Sequence, residues 1–145
     1  MTDRAQSLRQ IEHELGVLIR RVRRVVGDRA RAVHPDLQPA TYLLLTHLDE
    51  SGPLRASALV DATGVDKGAI SRQVQQLVDL GLLTRTQDPD DGRATLLEVT
   101  ADAHTRLGQV QRERRRRFDR RLGEWSQADL ADFATRLADY NAALD

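Results

Sequence analysis

No cysteine occurs in this chain of 145 residues, and its single lysine, Lys67, stands against 21 arginines. The missing thiols exclude disulfides, thiolate metal sites and cysteine-based redox sensing. Aromatic residues make up 3% of the chain, so a core must rest on Leu, Val, Ile and Ala. No apolar run approaches the roughly 18 residues of a membrane span, and the opening MTDRAQSLRQ lacks a signal-peptide pattern. A soluble, cytoplasmic protein without membrane contact is expected. His13, His34, His47 and His104 share no ligand spacing, so no metal is expected. No nucleophile–base pair, paired-carboxylate motif or phosphate loop appears, so neither an enzyme nor a cofactor is expected. Net charge is lacking too, because 22 basic side chains meet 22 acidic ones.

That balance hides an uneven distribution. Residues 3–34 carry eight basic and four acidic side chains, and residues 103–124 carry eight and three. The middle, residues 54–100, has five basic and seven acidic. Four of those acids, Asp88, Asp90, Asp91 and Glu98, fall in one short segment. The length suits one compact domain.

Leu8, Ile11, Leu15, Leu18, Val22 and Val25 recur every three or four residues, which predicts an amphipathic helix over about 4–32. HPDLQP breaks it, and Pro39 suits the first turn of a second helix ending at Ser51-Gly52-Pro53. A short helix in RASALVDAT closes at Gly64, and Asp66 can cap the next, which runs to about Leu80 before Gly81. LLTRTQ and ATLLEVT are β-prone and flank the turn-rich DPDDGR, predicting a two-stranded hairpin. Helix returns from Thr100 to about Trp125. Ser126-Gln127-Ala128-Asp129 then resembles a capping box that opens a last helix.

Helix, short helix, glycine turn, helix and two-stranded ribbon is the order of a winged helix-turn-helix, whose second helix enters the major groove. If Ile70, Val74, Leu77 and Val78 are buried, Gly68, Ser71, Arg72, Gln75 and Asp79 point outward, with Lys67 and Ala69 beside them. Gly68 and Ser71 are small enough for close approach to base edges. Arg72 can reach guanine O6 and N7, and Gln75 can pair with adenine N6 and N7. Lys67 and the free N–H groups of the first turn suit a phosphate. A polar face opposite an apolar stripe suits any surface helix; the ribbon that follows at once is what points to DNA. The net negative charge of the middle segment points the other way, toward a winged-helix protein-interaction module with little specific DNA binding.

GVDKGAISRQVQQLVDLGLLTR followed by DPDDGRATLLEVT resembles the MarR family (multiple antibiotic resistance regulator type) of bacterial transcription factors. The resemblance covers nearly the whole chain. Its most specific piece is Asp91-Gly92-Arg93, which matches the family's Asp-x-Arg in the wing, with Leu97 or Val99 and Thr100 completing the pattern. It implies a mainly α fold with a small β-hairpin wing, in which a winged helix-turn-helix over 35–100 is flanked by dimerisation helices over 1–34 and 101–145. It also implies a homodimer on double-stranded DNA with a pseudo-palindromic operator, mostly acting as a repressor. By the same resemblance Arg93 reaches into the minor groove, and Asp91 holds the wing by pairing with Arg85. The chain departs from the family at His104, where glycine is frequent, and around Thr41, where glutamine is usual.

The apolar stripes of the first and last helices span about three heptads, too few for a stable isolated coiled coil, so they must pack on something. Leu8, Leu15, Phe133, Leu137 and Tyr140 are the candidates for a dimer interface, as the resemblance implies. Between Val110 and Phe118 no apolar side chain occurs. The Arg112–Arg121 cluster is then a solvated face, a wall for an anionic effector or a phosphate contact. Release by a small anionic or aromatic effector follows from the resemblance, and no effector pocket is assigned from the sequence.

Overall fold

The computed structural model describes residues 3–144. They fall into two compact units, Met1–Val110 and Gln111–Asp145. The helix α1 (Arg4–Val33) starts at Asp3, whose carboxylate accepts the Ala5 N–H, and stops before His34-Pro35. Only its C-terminal third is buried, through Val26, Gly27, Ala30 and Val33. Further back along α1, Leu8, Ile11, Leu18, Ile19 and Val22 are exposed and Leu15 is half-buried.

The helix α2 (Pro39–Ser51) has proline in its first turn, where the missing N–H is not needed. It sends Tyr42, Leu44, Leu45 and Leu48 into the core. The short helix α3 (Ala56–Thr63) buries Leu59 and ends on Gly64, which takes φ 66° as a left-handed stop. The helix α4 (Lys67–Asp79) buries Ile70, Val74 and Leu77, with Val78 half-buried beside them. Past it, Leu82 N–H donates to Leu77 C=O at 2.9 Å across Gly81, whose φ is 72°.

The strands β2 (Leu83–Gln87) and β3 (Thr95–Val99) form the antiparallel wing, from Leu83 opposite Val99 to Gln87 opposite Thr95. A third strand, β1 (Leu54–Arg55), pairs with the other edge of β3, giving the order β1-β3-β2. The sequence predicts only two strands. Two residues are too few for an alternating pattern, and β1 exists because β3 offers it an edge. Thr100 joins the wing to the helix α5 (Ala101–Arg121): its hydroxyl donates to Gly81 C=O at 3.0 Å and accepts from Ala103 N–H at 3.2 Å. The first half of α5 closes the core with Ala103 and Leu107.

The second unit holds the rest of α5 and the helix α6 (Gln127–Ala142). Ser126 and Asp129 form the expected capping box, each side chain taking the other residue's backbone N–H. Trp125 and Phe133 meet edge-to-face, with ring centroids 5.6 Å apart. No described residue of α6 is buried, although it carries Phe133, Leu137 and Tyr140, and Leu144 just past its end is exposed too. Among the described residues, no helix is long and apolar enough to cross a membrane.

Candidate nucleic-acid interface

With Ile70, Val74 and Leu77 turned into the core, Lys67, Ser71, Arg72 and Gln75 are exposed on α4, and Gly68 is half-buried at its start. The helix start departs from the sequence expectation in one respect. The Asp66 carboxylate already accepts the N–H groups of Gly68 at 3.0 Å and Ala69 at 3.3 Å. Those donors are satisfied by the cap and are not available to a phosphate. Among the described residues, neither the Lys67 ammonium nor the Arg72 guanidinium has a partner. A Cβ on Gly68 would lie 3.0 Å from an Asp66 carboxylate oxygen and 3.4 Å from an Arg72 guanidinium nitrogen. Glycine here leaves room for both.

Gln75 is held at both ends of its amide. Its Nε2 donates to Asp79 at 2.8 Å, and its Oε1 accepts from the Arg85 guanidinium at 3.0 Å. Arg85 therefore ties strand β2 to α4 and forms no ion pair with Asp91, correcting the expected Asp91–Arg85 contact. The register gives the reason. Arg85 lies opposite Leu97, two pairs before the loop begins at Gln87 and Thr95, and its side chain reaches back to the helix.

Asp91 works within the loop instead. Its Oδ1 accepts the Arg93 N–H at 3.1 Å, and its C=O accepts the Ala94 N–H at 2.9 Å. Gln87 donates to Gly92 C=O at 2.9 Å. These bonds leave the Arg93 side chain exposed and, among the described residues, without a partner. At the base of the loop, Asp88 is 6% exposed and takes two donors from Arg55, at 2.7 Å from Nε and 2.6 Å from Nη2. The Asp90 N–H and the Arg55 guanidinium hold the Asp88 carboxyl below its ordinary range, against the effect of burial. One of the four wing acids is thus neutralised locally.

Between α3, α4 and the wing lies a cleft of about 500 Å³. Val60, Ile70, Val74 and Leu97 line it with apolar surface, Ser71 brings a hydroxyl, and the cations Lys67 and Arg85 face it together with one carboxylate, Asp61.

The sequence profile of the MarR family matches residues 36–94, which hold this helix pair, strand β2 and the wing loop. The chain is 35% identical to the uncharacterised HTH-type transcriptional regulator YxaD of Bacillus subtilis, covering 92% of both chains. The chain belongs to the MarR family. It is a transcriptional regulator of that family and not an enzyme. It is also 28% identical to the HTH-type transcriptional repressor NicR of Pseudomonas putida, over 62% of this chain and 58% of NicR. The fold matches that of a MarR-family regulator from Listeria monocytogenes solved with a 26mer DNA. The TM-score is 0.71 and the identity 19%, over 99% of this chain and 90% of the other.

Both departures from the family pattern make contacts in this MarR-family chain. The buried Thr41 hydroxyl donates to Gln76 Oε1 at 3.1 Å, and Gln76 Nε2 donates to Asp36 C=O at 3.2 Å. This fixes α4 to the start of α2. His104 Nδ1 lies 2.6 Å from Asp49 Oδ1 and links α5 to α2. Neither pair was visible in the sequence, and nor was Arg55–Asp88. The one signal for the last was an arginine directly before a short helix, where Ser, Thr, Asp or Asn is the usual cap. Among the described residues, no three His, Asp or Glu side chains gather as a metal site. In the arginine cluster, Glu113 pairs with Arg117 at 3.2 Å and Arg120 at 3.6 Å, and Arg114 stacks over Phe118.

Proposed function

We propose that this chain acts in the cytoplasm as a homodimeric, sequence-specific repressor, released from a pseudo-palindromic operator by a small effector. The observation that carries the reading is the exposed, cation-bearing face of α4, tied to the wing through Arg85 and Gln75. Helix and wing then meet DNA as one surface. Arg72 reads guanine and Gln75 reads adenine in the major groove. Gly68 and Ser71 allow close approach, Lys67 meets a phosphate, and Arg93 enters the minor groove. Asp91 and Arg85 support this surface from the loop and the strand.

The dimer is supported by the exposed apolar residues of α1 and α6. Leu8 and the half-buried Leu15 on α1, and separately Phe133, Leu137 and Tyr140 on α6, leave apolar side chains to water, which disfavours them. A second copy would cover them and place two reading helices about 34 Å apart, one turn of DNA. The regions 1–34 and 101–145 then serve dimerisation, and 35–100 serves DNA. The likeness to NicR supports repression. The α3–α4–wing cleft suits an anionic or aromatic effector, with apolar walls for a ring and the cations Lys67 and Arg85 set against a single lining carboxylate, Asp61. An effector there shifts the equilibrium only if it favours the DNA-free arrangement.

Fluorescence anisotropy with duplex from immediately upstream of the protein's own gene tests the reading, with random duplex as competitor and Arg93→Ala beside wild type. Binding that resists the competitor and collapses with salt and with Arg93→Ala is the expected result. Equal affinity for random duplex, with indifference to salt and to Arg93→Ala, would move the protein-interaction reading to the front.

A further inference from the structure

We propose that Arg55 is a positioning residue for the wing, acting through Asp88 to set the loop that presents Arg93. The inference rests on the DNA-bound role given to Arg93 above.

Arg55 occupies the position before the first turn of α3, in extended conformation, yet its side chain makes no capping bond. Ser, Thr, Asp or Asn would accept a first-turn N–H there, and arginine has no acceptor to offer. Its guanidinium turns instead to a residue 33 positions away, placing Nε and Nη2 on Asp88 Oδ2. Asp88 divides its two oxygens: Oδ2 takes Arg55, and Oδ1 accepts the Asp90 N–H at 2.9 Å. The Asp88 backbone N–H closes the loop on Ala94 C=O at 3.0 Å, next to Arg93.

A carboxylate this deeply buried needs a charged partner. Without Arg55, Asp88 regains water only by moving outward, and the anchors at Asp90 and Ala94 move with it. The loop would then sample many conformations, and Arg93 would be ordered only on meeting DNA, which weakens binding. Arg55 is itself 44% exposed, so direct contact with a phosphate is the rival explanation for any loss of affinity.

The test uses the full chain as wild type, Arg55→Thr, Arg93→Ala and the double variant. Threonine is chosen because it can cap α3, so helix stability is kept while the bond to Asp88 is lost. Affinity for the upstream duplex is measured across a salt series, and backbone amide exchange is followed in the DNA-free protein. For Arg55→Thr we expect about tenfold weaker binding, with no further loss on the Arg93→Ala background. The Asp88 and Asp90 amides should exchange about tenfold faster, while the core amides keep their protection. Equal losses in both backgrounds, with a salt slope lower by about one, would identify a phosphate contact and overturn the proposal. Unchanged exchange at Asp88 and Asp90 overturns it as well. If Arg93→Ala binds like wild type, the minor-groove role of Arg93 is what fails, and the exchange rates alone decide the Arg55–Asp88 link.

Discussion

Arg85 and Gln75 lie ten positions apart in the chain and meet through a 3.0 Å hydrogen bond that joins the wing to α4. Gln75 is simultaneously held by Asp79, so its amide is oriented before any DNA arrives. Such a side chain loses little freedom when it pairs with a base, which favours discrimination between bases.

Gln75→Ala is expected to cost about 1–3 kcal/mol at one base pair of the operator and little elsewhere. Arg85→Ala should blur preference at that same base pair, since Gln75 loses its orienting partner. Competition with a set of singly substituted operators checks both. Preference lost at different positions by the two variants would separate the residues.

The start of α4 rests on Asp66. Asp66→Ala should lower stability by about 1 kcal/mol, and Asp66→Asn should nearly retain it, because the amide oxygen can still accept from Gly68 and Ala69. Urea unfolding reads the difference directly. Equal losses for the two variants would show that the charge matters and the cap does not.

Acid should loosen the wing. The Asp88 carboxyl is held low by the Asp90 N–H first and the Arg55 guanidinium second. The unfolded chain therefore binds this proton more readily than the folded one. The contribution to stability is complete above the unfolded value of about 3.9 and disappears as pH falls through the lower folded value. The stability gap between wild type and Asp88→Asn should stay constant down to about pH 4 and close below it. A gap that does not change with pH would mean Asp88 is not the titrating group.

The apolar residues of α1 and α6 should govern self-association. Leu8→Glu and Leu137→Glu are each expected to weaken the dimer by at least about tenfold, because an unpaired carboxylate would be buried in the new interface. Sedimentation velocity against concentration gives the answer. Variants that associate like wild type would place the interface elsewhere.

Periodicity and punctuation are local properties, and they were legible. The apolar stripe of α1, the break at His34-Pro35, the left-handed stops at Gly64 and Gly81 and the Ser126–Asp129 capping box all follow from neighbours within a few residues. The buried face of α4 followed as well, since Ile70, Val74 and Leu77 fall where a period of 3.6 puts them. From that, which residues of α4 face outward was also fixed.

Partner choice is not local. This chain has so many arginines and acids that the sequence cannot say which meet. Asp88 reads as one more charge in an acidic turn, until β1 joins β3 and brings Arg55 alongside it. Arg85 could have reached Asp91 as far as sequence goes, and the strand register sends it to Gln75 instead. Thr41 and Gln76 are 35 positions apart and pair only because α2 packs on α4. The sequence by itself determined every element but β1, and the outward-facing residues of α4, because both depend on contacts a few positions long. The tertiary structure decided which charges are neutralised and which remain for a ligand, because an ion pair depends on distances that only the packed backbone sets.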